Sequence, residues 1–337
     1  MIREAIDIVV SGHSLTRGQA TEVMQEIMEG EATPAQLGAF LTGVRLKGES
    51  TEEIAGMASV MRDKALRVET EGPLLDVVGT GGDGKNTFNI STAAAFVAAA
   101  CGARVAKHGN RAASSSCGAA DVLEALGVRV ELSPEGVAQC VEQTGMGFMF
   151  APAFHPSMRY AGPVRREIGI RTVFNILGPL TNPAGAQCML LGVAYEQLGG
   201  LMAEALSLLD VQHALVVHGA DGMDEITLAG PSSVWEVKGG QVSNWTIEVA
   251  DTGLPSANTD DLHGGTAQEN AETMRRLFRG ESGPIRDAVL LNSGAALVAA
   301  DKVSDLRSGI AMAAEAIDNG GALARVDALV EVSQGAG

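Results

Sequence analysis

The segment Gly79-Thr80-Gly81-Gly82-Asp83-Gly84-Lys85-Asn86 follows a short apolar run and is suited to binding phosphate in one of three ways. Read as G-x-G-x-x-G through Gly79, Gly81 and Gly84, it matches a dinucleotide fingerprint. That fold, however, opens its helix within the glycines and places an acid about twenty residues on. Here the helix is expected at Ser91 or Thr92, and the residue near that distance is Arg104. Read as a Walker A loop, Gly79 to Lys85 fits, yet Asn86 stands where a magnesium-binding Ser or Thr is required. The third reading joins the loop to Asn89-Ile90-Ser91-Thr92. Glycines let backbone N–H groups approach phosphate oxygens, and a helix N-terminus adds its dipole to the same anion. Taken alone, the glycines fit a plain turn with Ser91 capping a helix equally well.

A second loop changes that balance. Lys107-His108-Gly109-Asn110-Arg111 ends another apolar run and leads through Ala112-Ala113-Ser114-Ser115-Ser116-Cys117-Gly118 into a helix from Ala120. Two cations and a run of small hydroxyl residues at a strand-to-helix turn make a second anion cradle. Two such loops in succession suit a substrate with phosphates at two ends. Asp224 and Glu225 are adjacent carboxylates in a Gly-rich loop after a later apolar run. In isolation they read as solvated turn acids.

The elements that must position these loops follow from periodicity. Residues 1–70 read as helices only, punctuated by capping boxes at Thr16 with Gln19, Thr33 with Gln36, and Ser50 with Glu53. Behind them run apolar stripes: Val23 and Ile27; Leu37, Phe40, Leu41 and Val44; Ile54, Met57 and Met61. These are expected to pack a core or a subunit interface. From Leu74 onward short apolar runs alternate with helical segments, which predicts an α/β domain over 71–337 with a mainly parallel sheet flanked by helices. The runs are Leu74–Val78, Arg104–Ala106, Val128–Glu131, Phe148–Phe150, Met189–Val193, Leu215–His218, Val234–Val237, Val242–Ile247 and Ala288–Leu291. Ligands in such sheets sit at the carboxyl ends of strands, where both cradles fall. The Arg-, Pro- and Gly-rich stretch within 160–190 is expected to rejoin the helical domain.

Composition narrows the function classes. The net charge of -17 opposes non-specific binding to nucleic acid or an anionic membrane. The cysteines Cys101, Cys117, Cys140 and Cys188 lie far apart with no C-x-x-C pair, as free thiols in a reducing compartment would. No signal peptide or membrane-spanning run is visible, so a soluble, cytoplasmic protein is expected.

In order and spacing, G-T-G-G-D-G, N-x-S-T and K-H-G-N-R resemble the hallmark of anthranilate phosphoribosyltransferases. The similarity continues through His155-Pro156-Ser157-Met158-Arg159, Pro163 to Glu167, Arg171 to Leu180, His218-Gly219, Asp224-Glu225 and Glu269-Asn270-Ala271, covering essentially the whole chain. The resemblance implies transfer of a 5-phosphoribosyl group from phosphoribosyl pyrophosphate to the amine of anthranilate, in tryptophan biosynthesis, with two Mg2+ per subunit. It implies donor binding by Gly79, Gly82, Asp83, Thr87, Asn89, Ile90, Ser91 and Thr92. From the second loop it adds Lys107, His108, Gly109, Asn110, Arg111, Ala112, Ala113, Ser114, Ser115 and Ala119. Anthranilate contacts would be Gly79, Asn110, Arg165 and His108, and metal ligands Ser91, Asp224 and Glu225, with Asp83 acting indirectly. A homodimer through the helical domain is also implied, with the Met-rich stripes as its face.

The chain departs from the family pattern at Ser116, Cys117 and Ala119, where a larger residue, a serine, and Ser or Gly are common. Ala119 has no hydroxyl for a phosphate, so backbone N–H groups are expected to make that contact. Two other functions share the scaffold. A pyrimidine nucleoside phosphorylase has a similar glycine loop but lacks K-H-G-N-R and the Asp-Glu pair. A non-catalytic nucleic-acid-binding homologue is opposed by the acidic balance and the intact ligand set.

Overall fold

The computed structural model describes residues 1–112 and 116–336. Helices α1 (Ile2–Val10), α2 (Arg17–Glu29), α3 (Pro34–Lys47) and α4 (Thr51–Asp63) form the amino-terminal unit. All three capping boxes form, with Thr16, Thr33 and Ser50 each accepting the N3 backbone N–H. Glu53 does more than cap. Its buried carboxylate accepts Leu15 N and Ser50 N at 2.9 Å and Lys47 Nζ at 2.8 Å, tying three segments together. The Met stripe turns inward: Met24, Met28, Met57 and Met61 are all buried in the core. They are therefore not the subunit face expected of them, because α1 to α4 need these side chains to fill their own bundle.

Seven strands make one sheet: β1 (Leu75–Gly79), β2 (Val105–Gly109), β3 (Met146–Phe150), β4 (Cys188–Gly192), β5 (His213–Gly219), β6 (Ser232–Lys238) and β7 (Gln241–Ile247). Their order is β3-β2-β1-β4-β5-β6-β7, parallel as far as β5 and antiparallel at β6 and β7. Alternating residues face opposite sides. Leu190, Leu215 and Val217 enter one core, while Met189, Leu191, Ala214 and Val216 enter another. The first core packs α5 (Ile90–Ala100), α6 (Ala119–Leu126) and α7 (Pro134–Thr144) against the carboxyl-terminal helices.

The second core joins the sheet to the amino-terminal unit. It includes residues from α9 (Met158–Ile168), α10 (Phe174–Leu177) and α11 (Gln197–Leu208), among them Ala161, Val164, Phe174, Leu177 and Leu206. A short α8 (Ala151–Phe154) precedes α9. Arg62 of α4 fastens the two units by donating to the Leu180 carbonyl at 2.6 Å and the Leu209 carbonyl at 3.0 Å. The chain ends through α12 (Val249–Thr252), α13 (Ala267–Phe278), α14 (Pro284–Ala299), α15 (Leu306–Asp318) and α16 (Gly321–Gly335).

Two expected strands are absent. Val128–Glu131 is an unpaired link between α6 and α7, and it is tied to α16: Arg129 N donates to Ser333 Oγ at 3.1 Å. Ala288–Leu291 lies inside α14, a helix apolar on nearly every side because it is buried between layers. A short apolar run has no period that separates a buried strand from a buried helix. No helix among the described residues is long and apolar enough to cross a membrane.

Candidate active site

The strand order reverses between β1 and β4, since β2 and β3 extend one way and β5 the other. The crevice beyond the ends of β1 and β4 is therefore the expected ligand site of an open parallel sheet. Gly79 and Gly192 end these strands in register. A Cβ on Gly192 would overlap the Asp224 backbone, and one on Gly79 would collide with its carboxylate. The two glycines make the notch into which the Asp224–Glu225 loop settles. That loop is pinned from behind by buried Asn292, whose amide accepts Ile226 N and donates to Ile226 O, both at 3.0 Å.

A cavity of about 370 Å³ opens here, lined by both glycine-rich loops and by Asp224 and Glu225. Asp224 accepts Gly81 N at 2.7 Å, and Glu225 accepts Ser91 N at 3.1 Å, in the first turn of α5. Lys107 is buried beneath them. Its Nζ donates to the Val77 carbonyl and lies 3.4 Å from Ser91 Oγ, with Asp76 and Glu225 as its nearest countercharges. Asp76 itself accepts His108 N at 3.2 Å and Asn182 Nδ2 at 2.7 Å, and burial raises it to about 6. An amide relay ties the donor segments to α13. Asn270 donates to Asn89 Oδ1 at 2.9 Å, Asn89 donates to the Cys117 carbonyl at 3.1 Å, and Gly265 N donates to Asn270 at 2.7 Å.

Burial, and then the neighbouring Asp83, raise Asp224 to about 7. Burial and Asp224 raise Glu225 to about 8. A carboxylate pair so penalised when ionised is relieved by a cation. The donors at hand are oxygens only, from Asp83, Asp224, Glu225 and the Ser91 hydroxyl, which suits a hard ion such as Mg2+. Among the described residues no group of three His, Cys, Asp or Glu side chains is gathered tightly enough to hold an ion alone. Such an ion would need substrate oxygens as well.

Most expected residues converge on this cavity: Gly79, Gly82, Asp83, Thr87, Asn89, Ile90, Ser91, Lys107, His108, Gly109, Asn110, Arg111, Ala112, Ala119, Asp224 and Glu225 all line it. Ala113, Ser114 and Ser115 lie outside the described residues. Thr92 is buried in α5 with its hydroxyl unpartnered and does not reach the lining. Arg111 lines the rim with its guanidinium engaged by Glu124 and Asp121. Asp121 also takes the N–H groups of Ala112 and Gly118, so those donors serve the loop itself. Arg165 is not among the lining residues; its guanidinium stacks over Phe174 at 5.1 Å.

Arg171 and Asn175, from the stretch that runs into α10, also line the cavity, and the sequence assigns neither a site role. His108 and His155 are buried side by side, ring centroids 5.0 Å apart, with both Nε2 atoms unpartnered. Burial lowers them to about 3 and about 4, so both imidazoles are neutral at pH 7. Cys117 is pushed up to about 11 by burial, which leaves no thiolate nucleophile at the cavity.

The helical bundle domain of a glycosyl transferase family matches residues 3–65, and the a/b domain of that family matches residues 71–323. An anthranilate phosphoribosyltransferase from Dehalococcoides mccartyi is 56% identical over 336 residues, spanning 99% of this chain and 98% of its own. The crystal structure of the enzyme from Thermus thermophilus superposes with a TM-score of 0.93 at 47% identity, covering 98% and 99% of the two chains. The Saccharomyces cerevisiae enzyme in complex with PRPP and Mg gives 0.91 at 27% identity, covering 99% and 98%. The chain belongs to this glycosyl transferase family and, within it, to the anthranilate phosphoribosyltransferases.

Proposed function

We propose that this protein transfers the 5-phosphoribosyl group of phosphoribosyl pyrophosphate to the amine of anthranilate, releasing pyrophosphate and N-(5-phosphoribosyl)anthranilate, in tryptophan biosynthesis. The observation that carries this reading is one cavity lined at once by two anion cradles and a carboxylate pair, in a chain whose full length matches relatives of that name. The reaction is a displacement at the anomeric carbon. The amine nitrogen forms its bond on one face as the bond to pyrophosphate oxygen breaks on the other. Backbone N–H groups of Gly82, Asp83 and Gly84 donate to phosphate oxygens, and the amino end of α5 adds its dipole. Lys107, fixed on the floor by Val77 O and Ser91, adds a positive charge on the leaving-group side. Mg2+ held by Asp224, Glu225 and Ser91 would supply charge neutralisation at the pyrophosphate.

Gly79, Asn110 and His108 form the acceptor side, and Arg165 is its carboxylate partner. Arg165 is supported by burial that lowers its pKa, a cost an anionic partner would offset. His108 is too weak a base to act as one at neutral pH. The substituted anilinium is itself acidic enough to release its proton. Two ions per subunit, a cytoplasmic location and a homodimer complete the reading. What supports the dimer is the exposure of Val10 (62%) and Leu46 (83%) on neighbouring helices α1 and α3. The division into 1–70 with part of 160–190, against the remainder of 71–337, is supported by the separate family matches over 3–65 and 71–323 and by the packing of α9 on α2 and α3.

Mixing protein, phosphoribosyl pyrophosphate, Mg2+ and anthranilate should cause magnesium-dependent loss of anthranilate fluorescence. An Asp224→Asn/Glu225→Gln variant should lose on the order of a hundredfold or more in rate. Donor binding without anthranilate consumption would sink the acceptor assignment of Asn110 and Arg165.

A further inference from the structure

The stretch between α9 and α10 sends one cation over the glycine loop, and it is Arg171 rather than Arg165. Gly169 ends α9 in the left-handed conformation (φ 68°), which redirects the chain. Asn175 accepts Thr172 N at 2.9 Å and fixes the turn that follows. The Arg171 guanidinium then donates from Nη2 to the Gly81 carbonyl at 3.2 Å and stacks 5.7 Å from the Tyr195 ring. It lies so close above Gly82 that a Cβ there would overlap Nη1. No carboxylate among the described residues forms an ion pair with it, whereas Arg111 at the opposite rim is held by two. Arg171 lines the cavity; Arg165 does not.

We propose that Arg171 is a further donor-binding residue, whose guanidinium grips the pyrophosphate of the donor from the side of the cleft that packs with α1 to α4. The assignment rests on the phosphoribosyl-transfer reading of this cavity. One edge of the planar fork is used by Gly81 O, and the remaining N–H groups lie against the loop that cradles phosphate. A guanidinium there meets the charge that grows on the leaving oxygen. The contact to Gly81–Gly82 favours pyrophosphate over the acceptor's carboxylate. Lys107 and Arg171 then address the same anion from two separate parts of the chain.

Arg171→Lys and Arg171→Met are compared with wild type by steady-state kinetics and by calorimetric binding of magnesium pyrophosphate. In Arg171→Met the KM for phosphoribosyl pyrophosphate should rise roughly tenfold or more and pyrophosphate affinity fall by a similar factor. The KM for anthranilate should stay within about twofold, and Arg171→Lys should be intermediate because it keeps the charge but not the fork. Unchanged pyrophosphate affinity in folded Arg171→Met, or a rise confined to the anthranilate KM, would overturn the assignment. If wild type binds magnesium pyrophosphate but consumes no anthranilate, the proposed reaction falls while the binding comparison still decides Arg171. If wild type binds no magnesium pyrophosphate, both fall.

Discussion

His108 and His155 show how burial sets chemistry at the level of single side chains. With both imidazoles depressed, the unfolded chain takes up protons below pH 6.5 before the folded one does. Their contribution to stability is therefore complete above about pH 6.5 and is lost as the pH falls toward 4 and then 3. For His155 the span from 6.5 to about 4 is worth on the order of 3 kcal/mol. Asp76 works in the opposite sense. Raised from 3.8 to about 6, it favours the fold at low pH and loses that contribution as the pH rises through this window. A His155→Gln variant removes one contribution only, so its denaturation midpoint should fall less steeply than wild type between pH 6.5 and about 4. Parallel slopes for the two proteins would mean that His155 takes up its proton at the same pH folded and unfolded, so that burial does not hold it neutral. The glycines, Lys107 and the acidic pair are readable from type and spacing. The seat of Arg171 on the glycine loop is not, because it is set by the left-handed turn at Gly169 and by a contact to Gly81 that only the folded chain supplies.

At the level of elements, Glu53 is the point where a helix cap becomes a tertiary tie. Glu53→Ala would leave buried Lys47 and the Leu15 and Ser50 N–H groups without their acceptor, costing on the order of 3 to 5 kcal/mol. Urea denaturation should show that loss, and hydrogen exchange should show it first in α2 to α4. A loss under about 1 kcal/mol would mean that water replaces the carboxylate. Glu53→Gln keeps an acceptor and should cost less. The capping boxes are legible because they are local: hydroxyl, spacing and partner all lie within four residues. Val128–Glu131 and Ala288–Leu291 defeat the periodicity argument because their burial is decided by distant elements, α16 for the first and the layers around α14 for the second. The Arg, Pro and Gly content of 160–190 marks a crossing segment, but its packing partners in the second core are supplied only by the fold.

The whole molecule is two cores sharing one sheet, with the cavity at the strand ends and one wall drawn from the stretch that packs with α1 to α4. A ligand there binds parts of the chain that belong to both cores. Magnesium pyrophosphate at about a hundredfold over its Kd should add about 2.7 kcal/mol of stability. Because Arg62 and the shared second core couple the units, the gain should appear as one cooperative shift in Tm. Two separate transitions, only the later of them ligand-dependent, would show that the amino-terminal unit melts on its own. The net charge of -17 works against an anionic donor at long range.

The paired glycines at 79 and 192 carry a consequence for descent. One extra methyl at 192 would leave every carboxylate, lysine and hydroxyl of the cavity in its place in the gene, yet the Asp224 loop would have nowhere to sit. A duplicate copy silenced in this way would look intact by its inventory of reactive groups. Clearance at two positions that bear no side chain is what would separate a working copy from a mute one.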